Sequence, residues 1–498
     1  MYSLSKLARH SYTRALLSQK GIVAFAVASF GAACTFDRVT EPSGPLVLVC
    51  HFAGSNANLV DIHLSELAGH QSHGDYVARL EVDRLATSGD SIHFTRVTDA
   101  LASARAGRIA RGELEAAACR ISIVVSPGTL SGSTAPSSDP TFEHFPLVID
   151  VPDITLLGAL KMEVDAEKRA TGVAQGGDVT TFAPNPALVV AGGTSSQQGV
   201  SEEIIVVNAN SDGPKGYGAV IEGFVFQSGR AATATPVGGQ GILSMRVRDI
   251  VVRGNRFEGG FTESVDLRAS SGTVERNHLA GLGAACDICI AGPGDYIVRD
   301  NRMLGPGGIP GVLSVPATIL PVPSMVEQYE LPSTSLITAQ LTNNEVRGHL
   351  FKPVGAGLRI AAIGIGAPNV SGSSRVVMRD NNLVGNTFGV IIEAGFPVAT
   401  GSLRGDIDVT MGNNTISQSC QNDLLVTLSR HVNGLGLTSP YPSYLRNSTY
   451  SLTFESALAL WDNAWFFHPA GFGNTLLVNG DEMPNGSRTA YDATRVCS

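Results

Sequence analysis

Histidine and cysteine gather near the front of this chain. Val49-Cys50-His51 is followed by His63 and then by His70-Gln-Ser-His73-Gly-Asp75. Imidazole and thiolate are the usual donors to zinc, and Cys50, His51, His70 and His73 together supply the four N/S ligands of a closed structural site. On a helix, His70 and His73 fall three residues apart on one face, a spacing that lets both reach one ion. The plain alternative is that Cys50 enters a disulfide while the histidines cap and pack. A second thiol pair, Cys286-Asp-Ile-Cys289, has CxxC spacing, but strand residues i and i+3 face opposite sides. A redox or zinc role there needs one cysteine in a turn; a buried thiol or a structural disulfide is the simpler reading.

Acids and arginines recur in short alternating segments further on. If Ser264-Val-Asp-Leu-Arg268 is a strand, Val265 and Leu267 point into a core and Asp266 and Arg268 point out. The same alternation puts Asp287 and Cys289 outside with Ile288 and Ile290 inside. It exposes Arg359 between Leu358 and Ile360, Glu393 beyond Ile392, and Asp423 before Leu424. Stacked in register, these residues form a column of mixed charge on one flat sheet. The alternative is a solvated face whose cross-strand charges keep the sheet soluble.

What must position them is a repeat. One octad recurs: apolar, two residues, Asn, one residue, apolar, one residue, usually Gly. It reads Val252-Arg-Gly-Asn255-Arg-Phe257-Glu-Gly259 and Val274-Glu-Arg-Asn277-His-Leu279-Ala-Gly281, then continues around Asn301, Asn344 and Asn381. The last copy, Met411-Gly-Asn-Asn414-Thr-Ile416-Ser-Gln418, loses the glycine, and an earlier one, Ile221-Glu-Gly-Phe224-Val-Phe226, has Phe in the asparagine slot. Asparagine tolerates the left-handed backbone of a tight turn, and its amide bonds neighbouring backbone. Repeated at one corner of successive coils, Asn255, Asn277, Asn301, Asn344, Asn381 and Asn414 can stack as a ladder inside a solenoid. Their separations are 22, 24, 43, 37 and 33 residues. The shortest approach one coil of three short strands, and the longest leave room for projecting loops. No helical period runs through the octads.

These octads resemble the repeats of right-handed parallel β-helix proteins of the pectate-lyase-like superfamily, over about residues 120–430. The fold expected is therefore all-β: a right-handed parallel β-helix with an N-terminal capping helix and a small N-terminal Cys/His module. Thr95–Arg105 suits the plug helix, and Arg120-Ile-Ser-Ile-Val-Val-Ser-Pro-Gly128 suits the strand opening coil one. The resemblance implies polysaccharide bound along one sheet face. Lyases and epimerases need a base there and a cation, calcium being one candidate, to stabilise enolate-like charge; hydrolases need paired carboxylates. Asp266, Arg268, Asp287 and Arg359 are then the candidate catalytic residues, with Glu393 and Asp423 as binding residues. The Asn-Thr-Asp, Asp-Asp and Gly-His-Gly set of polygalacturonases is missing. So are the Asp-Pro-His-Asp of mannuronan epimerases and the Arg-x-Pro-x-x-Arg of pectate lyases. No Gly-x-Ser-x-Gly elbow or phosphate-binding Gly-Lys-Ser/Thr loop occurs either. The Cys50-His51 to Asp75 segment resembles a short module found beside many exported bacterial domains.

Composition and the first residues supply the address. Of 498 residues only 16% are charged, 43% are hydrophobic and 56 are glycine, which excludes wholesale disorder and suits buried strands with tight turns. A net charge of -9 without a basic run after the leader excludes a dedicated nucleic-acid binder. Residues 1–33 read as a signal peptide: Lys6, Arg9, Arg14 and Lys20 precede an apolar run at 21–33 that is shorter than the ~20 residues of a spanning helix. Gly31-Ala-Ala-Cys34 resembles a bacterial lipobox, with Gly31 where Leu is usual, so Cys34 is the expected lipidation site and membrane anchor. Six cysteines remain beyond it, an even number that suits an oxidising compartment. Their pairing is open, although Cys50 with Cys119 and Cys420 with Cys497 would each tie down an end.

The expected organisation is a signal peptide at 1–33 and a linker with the Cys/His module at 34–90. The capping helix and β-helix follow at 91–430, and the last coil with an aromatic-rich cap at 431–498. Residues 305–340 are expected to form a long loop. The expected function is that of an exported, envelope-anchored or secreted protein that binds, and cleaves or epimerises, an extracellular polysaccharide. The rival is a non-catalytic structural or adhesive scaffold. Zinc in the Cys/His module is the expected cofactor.

Overall fold

A computed structural model of the chain describes residues 45–54, 56–85, 91–133, 142–184, 203–209, 213–228, 239–261, 263–281, 286–305, 317–320, 334–350, 356–363, 371–395, 405–427, 447–455, 464–467 and 473–483. The leader, Cys34, Tyr441, Tyr444, Trp461 and Cys497 lie outside these residues. No helix among the described residues is long and apolar enough to cross a membrane.

Each coil gives one strand to each of three long sheets. In the first sheet, Ile154–Leu157, Val220–Glu222, Ile250–Arg253, Gly272–Glu275, Gly294–Arg299 and Thr334–Thr342 follow one another, and their coils feed the second and third sheets in the same order. Neighbours within each run are parallel and in register. This is the right-handed parallel β-helix that the octads predict.

The two apolar positions of the octad are two interior columns. Ile221, Val252, Val274, Val298, Leu341, Met378 and Met411 oppose one another in the first sheet. Leu130, Phe182, Phe226, Phe257, Leu279, Met303, Val346, Leu383 and Ile416 do so in the second. Phe226 and Phe257 stack with ring centroids 4.8 Å apart, matching the ~4.8 Å between strands. Identical residue types one rung apart thus pack without a change of rotamer.

Between the two columns runs the asparagine ladder. Asn277 Oδ1 accepts from Asn255 N at 3.0 Å and Asn255 Nδ2 at 3.2 Å, while Asn277 Nδ2 donates to Val252 O at 2.9 Å and Asn301 Oδ1 at 3.1 Å. The pattern repeats through Asn344, Asn381 and Asn414. At Phe224 the ladder ends on a backbone donor, Phe224 N to Asn255 Oδ1 at 3.0 Å. One expectation is corrected here: the left-handed residue is not the ladder asparagine but the one before it. Gly254, Arg276, Asp300, Asn343, Asp380 and Asn413 hold φ between 52 and 63°. That residue turns the corner, which frees the next backbone N–H and amide to point along the axis. Gln418, in the slot vacated by glycine, also holds φ 56°.

Residues 305–340 are not one loop. Ala317–Leu320 is a strand of the third sheet and Thr334–Thr342 a strand of the first. The proline-rich composition suggested a loop, but the β-branched residues within it still extend the ladders. Beyond residue 431, Thr449–Phe454 and Thr475–Val478 continue the first sheet and Ala464–Phe467 the third.

The N-terminal end is plugged by the helix Val97–Ala110, whose Val97, Ala100, Leu101, Ala104 and Arg108 are buried. Buried Glu143 closes its first turn, accepting from Val97 N at 2.6 Å, Thr98 N at 3.1 Å and Thr98 Oγ1 at 2.8 Å. Arg108 pairs with Glu113 at 2.6 Å and also donates to Cys119 O and the Tyr76 hydroxyl. Ahead of the plug, Leu46–Ala53 pairs antiparallel with Asn56–His63 and Tyr76–Val77. A Cys50–Cys119 disulfide joins this small sheet to the first coil.

A hairpin, Met162–Val164 with Ala170–Ala174, lies along the outer side of the second sheet. Arg256 Nη1 donates to Gly172 O at 3.0 Å, Arg302 Nη2 meets Asp165 at 2.7 Å, and Ala170 N donates to Asp300 O at 3.3 Å. Gly172, at φ 83°, lies so close to the His278 ring that a Cβ would stand 2.7 Å from its Nε2. Burial, followed by Arg302 and Arg256, lowers the His278 pKa to about 4.

Asn301→Ala removes an acceptor from two buried donors and should cost about 3 kcal/mol or more. Asn414→Ala, at the half-exposed end of the ladder, should cost less in the same denaturant titration. Gln418→Gly relieves a left-handed side chain on an exposed turn and should stabilise by roughly 1 kcal/mol.

Candidate functional site

The outward residues Asp266, Arg268, Arg359 and Glu393 lie on two backbone register columns of the third sheet. In one, Leu243, Asp266, Cys289, Thr318, Arg359, Ile391 and Leu425 follow in register. In the other, Met245, Arg268, Ala291 and Leu320 do so, and on later rungs Ala361, Glu393 and Thr427. Asp266, Arg268, Arg359 and Glu393 therefore share the face that alternation assigned them. They do not share one site. Asp266 and Arg359 are three rungs apart, about 14 Å at the usual strand spacing.

Asp266 and Arg268 make one centre. Arg268 Nε and Nη2 reach Asp266 Oδ2 at 2.7 and 2.5 Å, and Gln240 Nε2 donates to the same oxygen at 2.6 Å. Asp266 is nearly enclosed, its side chain 3% exposed, against 16% for Arg268. Half-buried Glu263 begins the same strand. Burial, then the charges of Asp266 and Glu203, push its pKa up to about 8, against the pull of Arg268 and a hydrogen bond from Gln240. Burial also raises Asp266, with Arg268 opposing it. Glu263, held high in pKa, thus stands on the same strand as an Asp266 carboxyl clamped by Arg268. Two carboxyl groups in unlike surroundings, one clamped by an arginine, are what general acid–base chemistry requires. Strict alternation hid Glu263, which has the parity of inward Val265. Gln240 gave no signal, standing at the start of a strand after a glycine.

Asp287 departs from the solvent exposure expected of it. Its side chain is fully buried, and Oδ2 lies 3.8 Å from His349 Nε2, itself fully buried. Neither Asp287 oxygen accepts a hydrogen bond among the described residues. Cys286 opposes Glu263 and Ile288 opposes Val265 on the preceding rung. The Cα atoms of Cys286 and Cys289 are 5.6 Å apart, whereas an extended strand would separate them by ~10 Å. That kink brings the two cysteines together as a disulfide. Burial alone raises the Asp287 pKa well above its usual value, and burial lowers His349 to about 3. His349 could have been sought in the sequence as the residue following a turn glycine.

Arg359 and Glu393 form an ion pair, 4% and 0% exposed. Asp423 is half-buried, and its backbone carbonyl accepts from Val390 N at 2.9 Å. Neither this pair nor Asp423 joins the Asp266 centre.

The metal set predicted in the N-terminal module is also revised. Cys50 is held in the disulfide with Cys119. His73 is the exposed residue ending the helix Leu67–Ser72, and it is not among the donors that converge there. His51 and His70 instead converge on buried Asp75, each ring Nδ1 lying 2.7 Å from Asp75 Oδ2. Asp75 was visible in the His-Gly-Asp run but was not counted as a donor. Among the described residues, two groups bring donor atoms within reach of one ion: His51, His70 and Asp75, and Glu263, Cys286 and Cys289. The second has its thiols bonded to each other. Cys420 is disulfide-bonded as well.

No family model matches the chain, and no curated protein matches it in sequence. Among solved structures it is similar to the A-module of mannuronan C-5 epimerase AlgE6 from Azotobacter vinelandii, at 14% identity and TM-score 0.33, over 80% of this chain and 90% of that one. It is similar to an exopolygalacturonase from Thermotoga maritima at 12% identity and TM-score 0.39, over 82% and 95%. An endo-xylogalacturonan hydrolase from Aspergillus tubingensis gives 11% identity and TM-score 0.39, over 81% and 92%.

Proposed function

We propose that the chain binds an extracellular polysaccharide along the outer face of the third sheet and cleaves it at the Glu263–Asp266–Arg268 centre. The observation that carries this reading is the placing on one strand of Glu263 and an Asp266 carboxyl clamped by Arg268 and Gln240. A protonated Glu263 can give its proton to a glycosidic oxygen, while Asp266, with Arg268 beside it, can stabilise positive charge or activate water on the sugar. The address belongs to the same proposal: a leader at 1–33 with lipidation at Cys34 delivers the chain to the cell envelope. The Cys50–Cys119 disulfide is in keeping with an oxidising compartment.

The enclosed Arg359–Glu393 pair favours a second reading, a non-catalytic scaffold in which the face's charges satisfy one another. Incubation of the purified chain with uronic-acid and neutral polysaccharides separates the two. Release of new reducing ends, lost in both Glu263→Gln and Asp266→Asn, is expected for cleavage. Products with unsaturated ends would replace hydrolysis by elimination. No product, together with no retardation in polysaccharide affinity gels, leaves the scaffold.

The same protonation has a thermodynamic consequence. An acid whose pKa is raised on folding makes the native state hold the extra proton between the unfolded value and the folded one, so stability falls as pH rises through that window. For Glu263 the window ends at about 8. Glu263→Gln should reduce the loss of stability measured between pH 5 and pH 8, and Asp287→Asn should reduce it further.

A further inference from the structure

The N-terminal module holds a donor cluster that polysaccharide cleavage does not use. Asp75 Oδ2 receives His51 Nδ1 and His70 Nδ1 at 2.7 Å each, and Asp75 Oδ1 accepts from Phe52 N at 2.9 Å. The two rings meet edge to face with centroids 5.3 Å apart. One donor atom from each of the three residues lies within 4.8 Å of the others.

Three elements hold this cluster. His51 is in the strand Leu46–Ala53, beside the disulfide at Cys50. His70 is in the helix Leu67–Ser72, seated by buried Leu67. Asp75 precedes the strand Tyr76–Val77 and is tied back by its own N–H to His70 O at 3.2 Å. The carboxylate is enclosed while the imidazoles are 36% and 26% exposed. The carboxylate is thus fixed from behind and the two imidazole donors are reachable from solvent.

We infer that His51, His70 and Asp75 form a binding site for a divalent first-row metal ion, zinc by its donor class, open on the solvent side. Two imidazoles and one carboxylate suit zinc and its neighbours rather than calcium or magnesium, which take oxygen. Zinc bonds of ~2.0–2.1 Å place tetrahedral ligands ~3.3 Å apart, so the 2.7 Å contacts must open by about half an ångström. Half-exposed rings can rotate that far. Each imidazole then bonds the ion through Nδ1 and carries its proton on Nε2, while the hydrogen bond from Phe52 N keeps Asp75 oriented as an outer-shell support. Three protein ligands leave a coordination position for water or another donor, which distinguishes this site from a closed structural one. The inference stands apart from the third sheet and survives the failure of either reading given for it.

The full chain, stripped with a chelator and dialysed against Zn2+ alone, should retain one zinc per chain. Cobalt in place of zinc should give visible ligand-field absorption. His51→Ala, His70→Ala and Asp75→Asn should each weaken zinc by more than the ~10–100-fold typical of losing an outer-shell partner, and His73→Ala should leave it unchanged. Circular dichroism identifies which variants are folded, and the cobalt spectrum of the unaltered chain tests the site without any of them. Near-zero zinc with a featureless cobalt spectrum would overturn the inference, and so would equal zinc in the unaltered chain and folded His70→Ala.

Discussion

Register is the constraint on which the whole molecule depends. A solenoid of parallel strands can slip by two residues without exposing its core, because the side-chain period is two. The asparagine ladder forbids that. Each amide is bonded to the rung above and to a backbone carbonyl of the rung below, so a slipped coil would leave several buried polar groups unmet at once. Because the ladder fixes the corner, the apolar columns and the outward columns line up across coils whose connecting segments differ greatly in length.

That alignment makes a constellation from residues separated in sequence. Gln240, Asp266 and Arg268 come from adjacent rungs of one sheet, and their proximity owes nothing to a motif. Enclosure then does the electrostatic work: the same removal from water that raises Glu263 strengthens the attraction between Asp266 and Arg268. The molecule keeps Glu263 and an arginine-clamped Asp266 a few residues apart on one strand.

Much of this was legible in the amino-acid sequence, for a physical reason. The octad is a backbone requirement written in residue types: a turn former, an amide and two apolar residues at fixed offsets. It therefore disclosed the fold, the ladder asparagines, and the outward placement of Asp266, Arg268, Arg359 and Glu393. What stayed hidden was whatever broke the alternation. The burial of Asp287 beside His349 could not be read from alternation, and Glu263 was passed over because a strand's first residue need not obey its parity. In the module, Cys50 and His73 answered a spacing rule, while Asp75 made the cluster through tertiary contact.

The hairpin Met162–Ala174 adds a mechanical property. It clasps the neighbouring strands carrying Arg256, His278, Arg302 and Glu345, touching each through Gly172, Asp165 or Arg169. A brace across consecutive coils shares tension along the axis that each coil would otherwise bear through its own backbone hydrogen bonds. Stretched end to end, the rod should part first beyond Glu345, where no described segment spans the rungs in this way, leaving the braced half intact.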